Sequence, residues 1–141
     1  MKKSILILFI AIVSASSWAQ SRKANLKDKV ALQGYDPVAY FESNKAIQGN
    51  KEITADYNEA LYYFTSEKNK SLFLANPSQY QPQFGGYCAY GMSNGYEAPI
   101  HPEAFTIVDN KLYLNYSLKV KEMWNKEQAI RIEKAKVNWN K

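Results

Sequence analysis

Ile53-Thr54-Ala55-Asp56-Tyr57-Asn58-Glu59-Ala60-Leu61-Tyr62-Tyr63-Phe64-Thr65-Ser66 is the stretch that decides the fold class. β-Branched and aromatic residues run to Tyr57, Asn58-Glu59 interrupts them, and Leu61 resumes the run to Thr65. This is the pattern of two antiparallel strands joined by a two-residue turn. Ser66 stands where a helix N-cap belongs. The helix it opens is expected to run to about Asn76, with Leu72, Phe73 and the stem of Lys70 turned inward. Pro77 ends it, and residues 77–80 form a further short turn of helix.

Downstream, Phe105 to Val108 and Leu112 to Tyr116 flank Asp109-Asn110-Lys111 and read as a second hairpin. Ser117 then caps a helix expected over residues 118–139. Val120, Met123, Trp124, Ala129 or Ile130, and Val137 supply its apolar positions. Upstream, Gly34-Tyr35-Asp36-Pro37 signals a turn, followed by one helical turn over residues 38–41 with proline at its start. Gln48-Gly49-Asn50 marks another turn. Residues 82–95 are irregular and Gly-rich, which implies unusual backbone angles or close chain approach. No internal repeat and no low-complexity tract is evident. The fold class is therefore α+β: a small antiparallel sheet of two hairpins, packed by a medium helix and a long C-terminal helix.

The N-terminus reads as an address. Lys2 and Lys3 precede an apolar run from Ser4 to Val13, and Ser17-Trp18-Ala19 places small residues before Gln20. A run of roughly ten residues is half of what spans a bilayer. Residues 1–19 are thus expected to be a signal peptide cleaved near Ala19-Gln20, residues 20–29 a flexible tether, and residues 30–141 one domain. The expected location is periplasmic or secreted, with no stable membrane anchor after cleavage. The chain carries +5 overall, about +3 without Lys2 and Lys3, with acids interleaved among the lysines. Nothing forms a basic stripe, so nucleic acid is not expected as a partner. The eleven tyrosines suit a thin core, because each brings apolar area with a hydrogen-bonding tip. The single Cys88 excludes an internal disulfide.

Five blocks in order carry a resemblance: residues 34–41 (Gly-Tyr-Asp-Pro-Val-Ala-Tyr-Phe), 62–66 (Tyr-Tyr-Phe-Thr-Ser), 73–77 with Tyr80 (Phe-Leu-Ala-Asn-Pro), 85–89 (Gly-Gly-Tyr-Cys-Ala) and 111–116 (Lys-Leu-Tyr-Leu-Asn-Tyr). The chain resembles the exported YHS-domain proteins over about residues 32–139. Metal-associated YHS domains carry thiols at three positions that correspond here to Ala39, Thr65 and Asn69. Those thiolates suit copper or zinc. None of the three residues present can replace a thiolate, so the resemblance implies the framework without its metal site.

Candidate site residues follow from what remains. Tyr35, Asp36, Tyr40, Tyr87 and Cys88 lie in two Gly- and Tyr-rich loops that would line one ligand pocket if the loops met. Each has a plain structural alternative: Asp36 caps its own turn, Cys88 is a small buried residue, and the loop tyrosines, with Tyr90 and Tyr96, close a core. Cys88 with His101, the one histidine, or with a nearby Tyr or Asp oxygen, is the ligand set for a copper or other soft-metal site; the alternative is a thiol enzyme with Cys88 as nucleophile. His101 otherwise belongs to a surface turn. No phosphate loop, zinc motif, Cys-x-x-Cys pair or nucleophile elbow is present, and no catalytic residue is assigned. The expectation is a non-enzymatic exported module that binds a small ligand or an envelope protein.

Overall fold

The computed structural model describes residues 23–141; the expected signal peptide, its cleavage point and the first residues of the tether lie outside the described residues. The chain is α+β. A short hairpin, β1 (Leu26–Lys27) and β2 (Val30–Ala31), leads to a helical turn α1 (Ala39–Glu42). The hairpin β3 (Asn50–Tyr57) and β4 (Ala60–Phe64) follows, then α2 (Glu67–Ala75) and α3 (Pro77–Tyr80). Next come α4 (Ala89–Ser93), the hairpin β5 (Phe105–Val108) and β6 (Lys111–Leu114), and two helices, α5 (Leu118–Lys126) and α6 (Gln128–Trp139).

Both expected hairpins form, and the physical reason is local. Asn58 and Glu59, and likewise Asp109 and Asn110, take positive φ at both central positions. That backbone matches the twist of the flanking strands. Ser66 and Ser117 cap their helices, each accepting a hydrogen bond from the backbone N–H three residues on, at 3.1 Å.

Three expectations are corrected. The hairpins lie in separate sheets: a four-stranded one ordered β1-β2-β4-β3 and a two-stranded one, β5-β6. One of the extra strands, β1, comes from residues expected to be a flexible tether; it pairs with β2, at the start of the expected domain, and Asn25 N–H donates to the Gly85 carbonyl at 2.8 Å. The long C-terminal helix is two helices, broken at Glu127 (φ −138°, ψ 27°). That break resets the helical phase. Trp124 is fully buried as expected, but Ile132 and Ala135 face inward in α6, while Ile130 and Val137 are exposed.

The fourth correction is the largest: the chain contains an internal repeat. Every rung of β3–β4 from Thr54↔Tyr63 to Tyr57↔Ala60 recurs in β5–β6, from Phe105↔Leu114 to Val108↔Lys111, at a constant offset of 51 residues. The same offset relates Ser66 to Ser117, α2 to α5, the start of α3 to the start of α6, and the fully buried Phe73 to the fully buried Trp124. Two further features recur at 52 residues. Leu32-Gln33-Gly34 and Phe84-Gly85-Gly86 each form a left-handed turn with three successive positive φ angles. Each turn is closed by a backbone bond, Tyr35 N–H to Leu32 O and Tyr87 N–H to Phe84 O. Left-handed angles cost a side-chain-bearing residue about 1–2 kcal/mol, and glycine is favoured at the third position of both turns, where φ is largest (85° and 81°).

The two units stack head to tail. Along β4, Ala60, Tyr62 and Phe64 are buried in a first core with Tyr40 and Phe73. Leu112 and Leu114 of β6 enter that same core from the second unit. Tyr113, between them, points the other way, into a second core with Met92, Trp124, Ile132 and Ala135. The order is therefore first sheet, first core, second sheet, second core, and then α6, which extends where α3 stops after one turn.

Candidate functional site

The Gly-Tyr loops do not form one pocket around Asp36 and Cys88. Each side chain is consumed within its own unit. Asp36 is fully buried. Its Oδ1 accepts from the N–H groups of Val38 (2.8 Å) and Ala39 (3.2 Å). Its Oδ2 accepts from Thr65 N–H, Thr65 Oγ1 and Asn69 Nδ2, all at 2.8 Å. Asn69 Nδ2 also donates to Thr65 Oγ1 at 3.1 Å. A buried carboxylate is tolerable only when so hydrogen-bonded. This cage ties α1 to the end of β4 and the first turn of α2. The four donor residues are Val38, Ala39, Thr65 and Asn69. A soft metal does not fit here, because no thiolate is present and both carboxylate oxygens are already occupied.

Cys88 takes the Asp36 position in the second unit. Its Sγ accepts from Gly91 N–H at 3.4 Å and donates to Asn115 Oδ1 at 3.6 Å, and the residue is 2 % exposed. The equivalence extends to the backbone: Asp36 N–H bonds Ile47 O at 2.8 Å, and Cys88 N–H bonds Ala98 O at 2.9 Å. His101 in turn copies Asn50. Asn50 Oδ1 accepts from Glu52 N–H at 2.9 Å, and His101 Nδ1 accepts from Glu103 N–H at 3.2 Å. His101 is exposed, so its ring locks a surface turn. Among the described residues no three His, Cys, Asp or Glu side chains gather to hold a metal. A buried thiol also lacks the access a nucleophile needs. Native Cys88 is expected to react with a thiol reagent at least a hundredfold more slowly than in denaturant, while Cys88→Ser keeps the native far-ultraviolet circular dichroism. Equal labelling rates would make Cys88 an accessible thiol.

The tyrosines divide. Tyr40 is fully buried, and its hydroxyl donates to Pro102 O at 2.9 Å, fastening α1 to the second unit. Tyr35 and Tyr87 are half-buried, and Tyr96 is exposed. Tyr90 lies under the Arg131 guanidinium at 4.1 Å and accepts from it at 3.0 Å. Burial first, with Tyr35 and Glu103 adding to it, pushes the Tyr40 hydroxyl above the ordinary tyrosine range. Burial likewise raises Tyr62 and Tyr113. The unfolded chain therefore releases these protons first, and stability is retained below about pH 10 and falls as pH rises beyond it. In urea titrations Tyr40→Phe is expected to cost about 1 kcal/mol at neutral pH and to make the alkaline decline shallower. An unchanged alkaline slope would remove Tyr40 from that account.

Comparison with family models, with curated proteins and with solved structures finds no match to this chain.

The space available to a ligand lies elsewhere. An open cleft of about 800 Å³ runs over the outer face of the first sheet. Its apolar wall includes Val30, Leu61 and Tyr63, with Ile100 and Pro99 from the second unit; Lys27, Lys51 and Asp28 bring charge to it. Leu32, Gln33 and Gly86 bring residues of both left-handed turns to the same cleft. Strained backbone of this kind gathers where a site is held in shape. Sequence reasoning missed this site. The alternation Leu61-Tyr62-Tyr63-Phe64 marks an apolar outer face on β4, but nothing local says what stands over it.

Proposed function

We propose that this is an exported YHS-type module that binds a small ligand in the cleft over β4 and carries no catalytic machinery. The observation that carries the YHS part is the convergence of Ala39, Thr65 and Asn69 on one carboxylate. The resemblance assigns these three positions, with Thr65 and Asn69 lying 26 and 30 residues after Ala39, to one site in metal-associated members. The framework of that site is kept, and its content is a hydrogen-bonded staple in place of a metal. The cleft, whose volume lies within the range of small-molecule sites of about 300–1,000 Å³, takes the binding role.

Two measurements test this reading. Protein recovered from the envelope fraction of the producing cell should begin at Gln20 by intact mass. It should also release a small molecule on denaturation, in stoichiometric amount by mass spectrometry. A chain retaining residues 1–19 in the cytoplasm would overturn export. Stoichiometric copper or zinc lost in Asp36→Asn would overturn the replacement of the metal site by the staple.

A further inference from the structure

The repeat says what the cleft is built to receive. Leu61 and Tyr63, on its wall, are the copies of Leu112 and Leu114 at the same 51-residue offset. In the second unit that face is covered: Leu112 is 0 % and Leu114 1 % exposed, in a core whose large members are the rings of Tyr40, Tyr62, Phe64 and Phe73. In the first unit no preceding unit exists among the described residues, and the same face is half-buried, forming the cleft wall. The cleft is thus the unfilled copy of a surface that elsewhere in this molecule packs against aromatic rings.

The two copies also differ in the chemistry of their rims. Where the covered copy has the buried Leu114 and Pro102, the open copy has Tyr63 and Lys51; Gln48 is the counterpart of the exposed Pro99, and Tyr63, Gln48 and Lys51 all line the cleft. All three changes introduce hydrogen-bond donors at the rim, and Lys51 introduces a positive charge. Lys27 adds a second cation, against the single acid Asp28. Apolar area without polar groups would favour any greasy molecule; donors and cations arranged around it select one with an acidic substituent.

We propose that the ligand class is a ring-bearing organic anion, its rings against Leu61, Tyr63 and Val30 and its acidic group toward Lys51 and Lys27. This rests on the reading of the cleft as the binding site. The test uses the mature protein and two probes with similar ring systems, anilinonaphthalene sulfonate (anionic) and phenylnaphthylamine (neutral), titrated by fluorescence and by calorimetry. The sulfonate should saturate at one molecule per protein and bind at least tenfold more tightly than the neutral amine. Lys51→Glu, at an exposed position, should bring the two within about twofold of each other. Gln48→Trp, which fills the cleft from an exposed position, should remove both. If the neutral probe binds as tightly as the anion, or Lys51→Glu leaves the ratio unchanged, the anionic class is wrong while the cleft stands. If neither probe saturates, or Gln48→Trp leaves binding intact, the cleft itself is not the site.

Discussion

Asp36→Ala is expected to lower the unfolding free energy by about 3–5 kcal/mol, because it leaves several donors facing an empty, buried space. For a domain of this size that corresponds to a fall of about 10–20 °C in the thermal midpoint. The cost is concentrated in the backbone N–H groups of Val38 and Ala39, which lose Oδ1 while buried. Asn69 and Thr65 suffer less, since Thr65 is exposed and water can replace part of what it loses. Asp36→Asn keeps the shape but turns an amide toward donors, so about half of the loss is expected. Denaturant titration of both variants, followed by tryptophan fluorescence, reads the difference. A change below about 1 kcal/mol for Asp36→Ala would mean that the staple is not what holds α1 to α2. The counterpart in the second unit should behave differently. Cys88 supports a single weak acceptor contact to Gly91 N–H, and Cys88→Ser supplies an oxygen in its place, so a loss of about 1 kcal/mol or less is expected.

Gly49→Ala is expected to cost about 3 kcal/mol or more by overpacking. A Cβ added there would lie 2.6 Å from the carbonyl carbon and from the Cβ of Tyr63, and 2.8 Å from the Phe64 nitrogen. These are backbone and near-backbone atoms of β4, so no flexible side-chain tip can move aside. Gly49 N–H also donates to Gly34 O at 2.8 Å, tying the first left-handed turn to the segment that leads into β3. Adding a methyl group pushes that turn away from Tyr63 and deforms the cleft. The variant should therefore lose probe binding more steeply than its loss of stability alone accounts for, measured at a temperature where it is still folded. Wild-type stability in urea would show that the segment moves freely over β4, and the cleft would then have no fixed wall.

These two positions also separate what is readable locally from what is not. The hairpins, the Ser66 and Ser117 caps and the stop at Pro77 each depend on residues within a few positions of one another. They stand in the structure where pattern and capping chemistry place them. The break at Glu127 is not readable in that way. Apolar residues continue through it at nearly helical spacing, and only the packing of α6 over Met92 and Tyr113 in the second core decides which face turns inward. The repeat escapes inspection because its two copies share few identities, among them Gly-Tyr before the cap, Leu-Tyr on the central strand, and serine before the helix. Conserved spacing of roles, with Asp36 answered by Cys88 and Asn50 by His101, becomes visible only when the hydrogen bonds are laid side by side.

For the candidate site the division is sharper. Sequence singled out Asp36, Cys88 and His101 because their side chains carry chemistry, and each turns out to satisfy nearby backbone donors. Side-chain type states what a residue is able to do; its partners, 27 residues away for Cys88 with Asn115 and 29 for Asp36 with Thr65, decide what it does. The amino-acid pattern alone sufficed for the α+β class and for most of the strands and helices, since caps, turns and period-two alternation are short-range physics. Only the tertiary structure decided that two such units stack head to tail, that one sheet face is buried by its neighbour, and that its copy is left as a cleft. Stacking depends on which apolar faces find one another across the whole chain, and no local spacing encodes that.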